Sequence, residues 1–237
     1  MKILVVDDDS ATREGLAKIF KNEGYETICA EDGISALRIF EKEKPEFLCL
    51  DVMMPGRDGY QVCQQIRKID ETVPILFISA KGEEIDKVLG MELGADDFIV
   101  KPFGVREVVA RIRAITRRFL ASKNSPREKT GKSVSSFVIG DLEVFPLELR
   151  AKRSSSVIDL NLREVRILEM FFKHPGEVLN RVVIGEECWG SELVPVSRAI
   201  DQQISQLRKR IELDPENPKI ISTVHGAGYR YDKREDK

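Results

Sequence analysis

The sequence predicts an α/β protein in two parts: a doubly wound, five-stranded parallel sheet, followed by a smaller α+β domain. Three observations predict it. Five short apolar runs, KILVV, YETICA, EFLCL, PILFIS and DFIV, alternate with helical stretches through the first half. That alternation is the grammar of a parallel sheet covered on both faces. A Ser/Lys-rich stretch interrupts it at 121–136, and beyond that the runs shorten into antiparallel-type strands, three helices and a hairpin.

Element by element, helical periodicity marks residues 11–22, 33–43, 59–69, 83–93 and 104–120. Ser10 is the expected N-cap of the first helix, and Gly24, Gly33 and Gly94 mark ends or turns. These elements make up a first domain, 1–120. Segment 121–136, with Pro126 and Gly131, lacks periodicity and reads as a flexible linker. In 137–237, FVIGDLEVF, LELRAKR and SSSVIDL supply short strands. Helices follow at 162–173, 181–188 and 198–212, then the hairpin KIISTVHGAGYRY. Asn161 and Glu164 form a capping-box variant, HPG breaks that helix, and Trp189 is expected to pack on the domain core.

Composition narrows the function classes. The chain is 42% hydrophobic and 33% charged with net charge −2, the balance of a folded globular protein. Residues 1–118 carry 18 Lys+Arg against 22 Asp+Glu, and 137–237 carry 16 against 17. Neither half is strongly basic, so nucleic-acid binding must come from a local patch. Cys29, Cys49, Cys63 and Cys188 form no CxxC pair, which suggests neither zinc nor a disulfide framework. Reduced thiols, an apolar start too short for a signal peptide and the lack of a membrane-length apolar run lead to the expectation of a cytoplasmic protein without a membrane partner.

Function concentrates where strands end. The first run meets Asp7, Asp8 and Asp9, the third closes on Asp51 before Pro55-Gly56, the fourth ends on Ser79 and the fifth on Lys101-Pro102. Two carboxylates about 4 Å apart repel by roughly 4 kcal/mol at an effective dielectric near 20, so either the acids splay into water or something positive holds them together. Oxygen donors in that number suit Mg²⁺. A lysine and a hydroxyl opposite the metal would neutralise a phosphoryl group in transfer, with Asp51 as carboxylate nucleophile.

VVDDD, LDVMMPG, ILFISA, GADDF and KPF, in that order, resemble the receiver domain of two-component response regulators, a flavodoxin-like fold. The resemblance implies that Asp51 accepts phosphate from a sensor histidine kinase. It further implies that Asp8, Asp51 and the Met53 backbone carbonyl ligate Mg²⁺ directly and Asp7 through water, and that Lys101 pairs with the phosphate ahead of a cis Pro102. Ser79 and Phe98 become the switch pair: the hydroxyl moves onto the phosphate and the ring turns inward behind it. VVDDDS also fits a haloacid-dehalogenase-type phosphatase, with Asp7 as nucleophile, Asp9 as acid, ILFIS as hydroxyl motif and Lys101 as its lysine. Against this, Asp96-Asp97 precede the lysine and Asp51 is left without a role.

In SRAIDQQISQLRKRIE, Ile200, Ile204, Leu207 and Ile211 make one apolar stripe. Arg198, Gln202, Ser205 and Lys209 lie opposite it, flanked by Gln206, Arg208 and Arg210. An outer face without acids, with amides between cations, suits a major groove. TVHGAGYRY adds a Gly-rich tip with His225 and Arg230. With the LNLRE start, HPGEVLN and CWG, this half resembles the winged helix-turn-helix effector of OmpR/PhoB-type regulators. The resemblance implies double-stranded promoter DNA as partner, with RNA polymerase a further one. Arg198, Gln202, Gln203, Ser205, Gln206, Arg208, Lys209, Thr223, His225, Tyr229 and Arg230 are the candidate contacts. His225 stands where an arginine is usual in the family, and Asn161 where a threonine is.

The resemblance also implies a phosphorylation-dependent homodimer through Lys87, Glu92, Asp96, Asp97, Glu107, Arg111 and Arg118. The expected protein is a DNA-binding regulator, and not an enzyme beyond assisting its own phosphoryl transfer and hydrolysis. A regulator independent of phosphate is the remaining alternative.

Overall fold

The computed structural model describes residues 1–80, 83–123, 136–189 and 197–233. It divides into two compact units, Met1–Lys123 and Asn124–Lys237.

In the first unit, β1 (Lys2–Val6), β2 (Glu26–Ala30), β3 (Phe47–Asp51), β4 (Ile75–Ser79) and β5 (Asp97–Val100) form one parallel sheet in the order β2-β1-β3-β4-β5. The helices are α1 (Ser10–Asn22), α2 (Gly33–Glu43), α3 (Gly59–Ile69), α4 (Glu84–Glu92) and α5 (Val105–Lys123). Apolar residues of α2 and α3 pack with Leu4, Val6, Leu48, Leu50 and Phe77 on one face. Leu16 and Phe20 of α1 are buried on the other side of the unit with Ile112, Ile115 and Phe119 of α5. Each fully buried aliphatic or aromatic side chain contributes about 1.5–3 kcal/mol. Strands buried on both faces explain the near-continuous apolar runs.

Carboxylates start the helices: Asp9, Asp32 and Asp58 each accept from amides of the first turn they precede. The cap of α1 is therefore Asp9, and Ser10 is its first helical residue. Only one of three consecutive acids reaches back to the Thr12 amide, a choice that a linear reading does not reveal. Helix α5 runs to Lys123, three residues into the segment read as linker; residues 124–135 of that segment lie outside the described residues.

In the second unit, β6 (Phe137–Ile139), β7 (Leu142–Phe145), β8 (Arg150–Arg153) and β9 (Ser156–Asp159) make an antiparallel sheet. FVIGDLEVF holds two of these strands. LELRAKR is only partly strand: Pro146–Glu148 form a 3-10 turn, and Leu149 takes a left-handed φ of 52° before β8 begins. Then come α6 (Leu162–Lys173), α7 (Arg181–Trp189), α8 (Ser197–Ile211) and the hairpin β10 (Ser222–Val224) and β11 (Gly228–Arg230). Asn161 and Glu164 form a full capping box on α6. Trp189 is half-buried beneath the Arg163 guanidinium, 4.4 Å from the ring centroid. Among the described residues no helix is long and apolar enough to cross a membrane.

Candidate functional site

Level registers bring the strand ends together, with Val6 opposite Leu50, Asp51 opposite Ile78 and Ser79 opposite Val100. Asp7, Asp51, Ser79 and Lys101 therefore share one edge of the sheet. Asp7 and Asp51 are only 1% and 4% exposed, and Ser79 is fully buried. Lys101 Nζ donates to Asp7 Oδ2 at 2.8 Å and to Asp51 Oδ2 at 2.7 Å. The Met53 amide donates to Asp51 Oδ1 at 2.9 Å, so both oxygens of Asp51 are engaged. The Lys101–Pro102 peptide is cis, as the resemblance implied.

Burial pushes the Asp7 carboxyl above the ordinary aspartate range, and the Lys101 bond offsets this only in part. Burial also works against the Lys101 ammonium, but the bonds to Asp51 and Asp7 outweigh it and raise its pKa. Carboxylate oxygens of Asp7, Asp8 and Asp51 lie within 4.8 Å of one another. The donor set is all oxygen, and the one ammonium touches two of the three carboxylates, Asp7 and Asp51. These residues fit a hard divalent cation, although in the structure it is lysine that binds Asp7 to Asp51. Asp9 stands apart. Its carboxylate caps α1 through the Thr12 amide at 2.7 Å, and bonds from Thr12 hold its pKa low.

Two contributors escaped the sequence reading. Arg13 donates from α1 to the backbone carbonyls of Asp7 and Asp8. Gly59 sits so close to the end of β3 that a Cβ there would lie 2.2 Å from the Asp51 carbonyl oxygen. The PGRDG spacing before α3 was the available signal. Phe98 lies inward, 7% exposed, directly across from Phe77 with ring centroids 6.1 Å apart.

The residues expected at a dimer face are dispersed in their bonding. Arg111 pairs within its own chain with Asp97 at 2.8 Å and Glu107 at 3.0 Å. The Asp96 carboxylate accepts the Ile75 amide at 2.9 Å, and Arg118 reaches only the Asp96 carbonyl, at 3.5 Å. Lys87 and Glu92 are exposed on α4 beside the exposed Ile85, Val88, Leu89 and Met91.

In the second unit the four residues of the predicted stripe are those α8 buries. Arg198, Gln202, Ser205, Gln206 and Lys209 are exposed, as are Thr223 and His225 on the hairpin; Gln203 is half-buried. Arg230 is half-buried and pairs with Asp232 at 2.7 Å. Two expected DNA contacts are drawn inside. Tyr229 is 5% exposed and its hydroxyl donates to Asp201 at 2.5 Å. Arg208 donates to the Ile221 carbonyl and to Thr223 Oγ1, each at 2.9 Å, over the Tyr229 ring, and burial lowers its pKa. Asp201, an acid on α8 that the sequence reading gave no role, also takes Arg181 of α7 at 2.7 Å. Burial opposes its charge, but the bonds from Tyr229 and Arg181 hold its pKa low. This knot ties α7, α8 and the hairpin together.

Residues 3–113 match the family model for the response regulator receiver domain, and 155–231 that for the C-terminal domain of transcriptional regulatory proteins. Among solved structures, the chain is similar to the response regulator DrrB, an OmpR/PhoB homologue from Thermotoga maritima. That match has 26% identity over 98% of this chain and 99% of that one, with TM-score 0.45. A putative response regulator from Chloroflexus aurantiacus is 39% identical over 48% of this chain and 95% of its own (TM-score 0.46). The receiver domain of NtrX from Brucella abortus is 34% identical over 48% and 96% (TM-score 0.46). With a receiver sheet and a DNA-binding C-terminal unit in this order, the chain belongs to the OmpR/PhoB-type response regulators, the phosphorylation-regulated transcription factors of two-component systems.

Proposed function

We propose that a sensor histidine kinase phosphorylates Asp51 and that the phosphorylated protein pairs on promoter DNA. The observation that carries this reading is Lys101, whose ammonium reaches both Asp7 and Asp51 where the parallel strands end. An Asp51 oxygen attacks the phosphorus of the phosphohistidine. A P–O bond forms, the P–N bond breaks, and the imidazole leaves, taking a proton. Lys101 and the Met53 amide orient the carboxylate, and Lys101 then faces the charge gathered on the phosphoryl oxygens. Asp7, Asp8, Asp51 and the Met53 carbonyl would hold Mg²⁺, which when bound offsets phosphoryl charge. Attack by water on the phosphorus later forms a new P–O bond, breaks the one to Asp51 and releases inorganic phosphate, which restores the carboxylate. The protein is thus a phosphoacceptor that assists its own transfer and hydrolysis, not an enzyme with a separate substrate. A phosphatase using Asp7 is disfavoured, because Asp9, its required acid, is spent on capping α1.

The Ser79 hydroxyl engages the phosphoryl group with Phe98 inward behind it. This state favours a two-fold pairing of receivers through α4, β5 and α5, in which Arg111 exchanges its in-chain partners for those of a second copy. Tethering then gives the paired effectors avidity on tandem half-sites. Arg198, Gln202, Gln203, Ser205, Gln206 and Lys209 meet the major groove, Thr223, His225 and Arg230 the backbone or minor groove, and RNA polymerase is the downstream partner. Intact-mass analysis with Mg²⁺ and acetyl phosphate tests the reading. The wild-type chain should gain one phosphoryl group and Asp51→Asn none; an equal gain in both overturns it. Equal DNA shifts by Asp51→Asn and phosphorylated wild type would instead favour control without phosphate.

A further inference from the structure

Glycine is the poorest helix former after proline, yet α4 carries Gly90, and it is the residue of that helix that is buried. Open space is not the reason. A Cβ at Gly90 would lie 3.1 Å from Phe77 Cδ2 and 3.3 Å from Phe98 Cδ2, whereas at Gly15 of α1 it would meet nothing within 4 Å. Such contacts are tighter than ordinary van der Waals packing, so the two rings must give by a few tenths of an ångström. Phe77 has no exit. It is fully buried on β4 between two neighbouring strands, with Tyr60 edge-on at 5.4 Å. Phe98 lies on the edge strand β5 and retains slight exposure, so it is the ring that can leave.

We infer that Gly90 is a positioning residue of the switch, a notch in α4 that admits the Phe98 ring to its inward place. The inference deepens the proposed function and rests on Phe98 being the switch aromatic. A methyl at position 90 presses on Phe77 and Phe98 together; with Phe77 boxed in, the displacement passes to Phe98, whose ring moves outward, and no strand-end polar side chain is among the atoms the methyl meets. The phosphoryl group still forms, but its message to α4 and β5 is weakened. Overpacking a dense core by one methyl commonly shifts a two-state balance by about tenfold.

The test uses the full chain labelled with fluorophenylalanine, the residue-98 resonance being assigned by its loss in Phe98→Leu. In Gly90→Ala the intact mass after acetyl phosphate and Mg²⁺ should match wild type. The residue-98 resonance should move toward an exposed position, and sedimentation should show phosphorylation-dependent dimerisation weakened about tenfold. Gly15→Ala should change neither readout, which separates the notch from a general gain in helix propensity. Should Gly90→Ala fold poorly, Gly90→Ala with Phe98→Leu should regain the fold, because the smaller side chain removes one contact and gives the neighbouring Phe77 ring room to shift. An unmoved resonance with normal phosphorylation, or no rescue by Phe98→Leu, overturns the inference. Absence of a phosphoryl group from the wild-type chain overturns the reading of the pocket instead, and the notch loses its regulatory meaning with it.

Discussion

In the receiver unit, three carboxylates cluster at the strand ends and one ammonium bonds two of them, Asp7 and Asp51, both almost wholly out of water. In the effector unit, α8 sets four cations against one acid, Asp201, and that acid is tied to Arg181 and Tyr229. The first site places charge with strand-end backbone and cannot lose one member without exposing another to an unpaired interior. The second spreads charge over exposed side chains whose individual worth is small, while a buried knot holds the scaffold that presents them. Buried charge is a matter of single atoms; exposed charge is a matter of sums.

The largest break in that contrast is Lys101→Ala. It leaves Asp7 and Asp51 facing each other without a cation, and removing one partner of a buried pair costs about 3 kcal/mol, read by urea unfolding without divalent ions. Added Mg²⁺ should recover part of the loss by binding the folded state only. Gly59→Ala comes next. A Cβ 2.2 Å from the Asp51 carbonyl forces the β3–α3 connection to move, with an expected loss of about 2 kcal/mol and slower labelling by acetyl phosphate. No comparable single-atom sensitivity is expected on the exposed face of α8.

Tyr229→Phe should act in the effector unit as burial acts in the receiver. Losing the donor to Asp201 costs about 1.5 kcal/mol of stability, in the range for a hydrogen bond to a charged group, and should weaken DNA affinity at every sequence alike. Lys209→Ala is the mildest change. Unfolding should be unaffected, while the slope of log affinity against log salt falls by about 1, as for one lost phosphate contact. A loss of stability in Lys209→Ala would show that the two regions do not differ in this way.

The same contrast explains what was legible in one dimension. Strands buried on both faces announce themselves as apolar runs, so the receiver sheet and the polar group at each strand end could be read in order. The amphipathic stripe of α8 was equally plain. Partner choice among adjacent like residues was not: Asp7, Asp8 and Asp9 look equivalent in sequence, yet one bonds lysine, one stays exposed within reach of a cation, and one caps a helix. Tyr229 read as a DNA contact and Asp201 had no role, because Tyr229 bonds Asp201 of α8 and Asp201 in turn takes Arg181 of α7, each pair at least 20 residues apart in the chain. Leu149 adopts its left-handed turn with no glycine to signal it.

The most direct measurement of the central claim is chemical mapping of the phosphoryl group. After labelling with acetyl phosphate and Mg²⁺, borohydride reduction converts an aspartyl phosphate to homoserine, and peptide mass spectrometry locates it. Homoserine at position 51, and nowhere else, is the predicted result. Homoserine at position 7, or none at all, contradicts a pocket in which Asp51 takes the phosphate while Asp7 and Lys101 hold the charge around it.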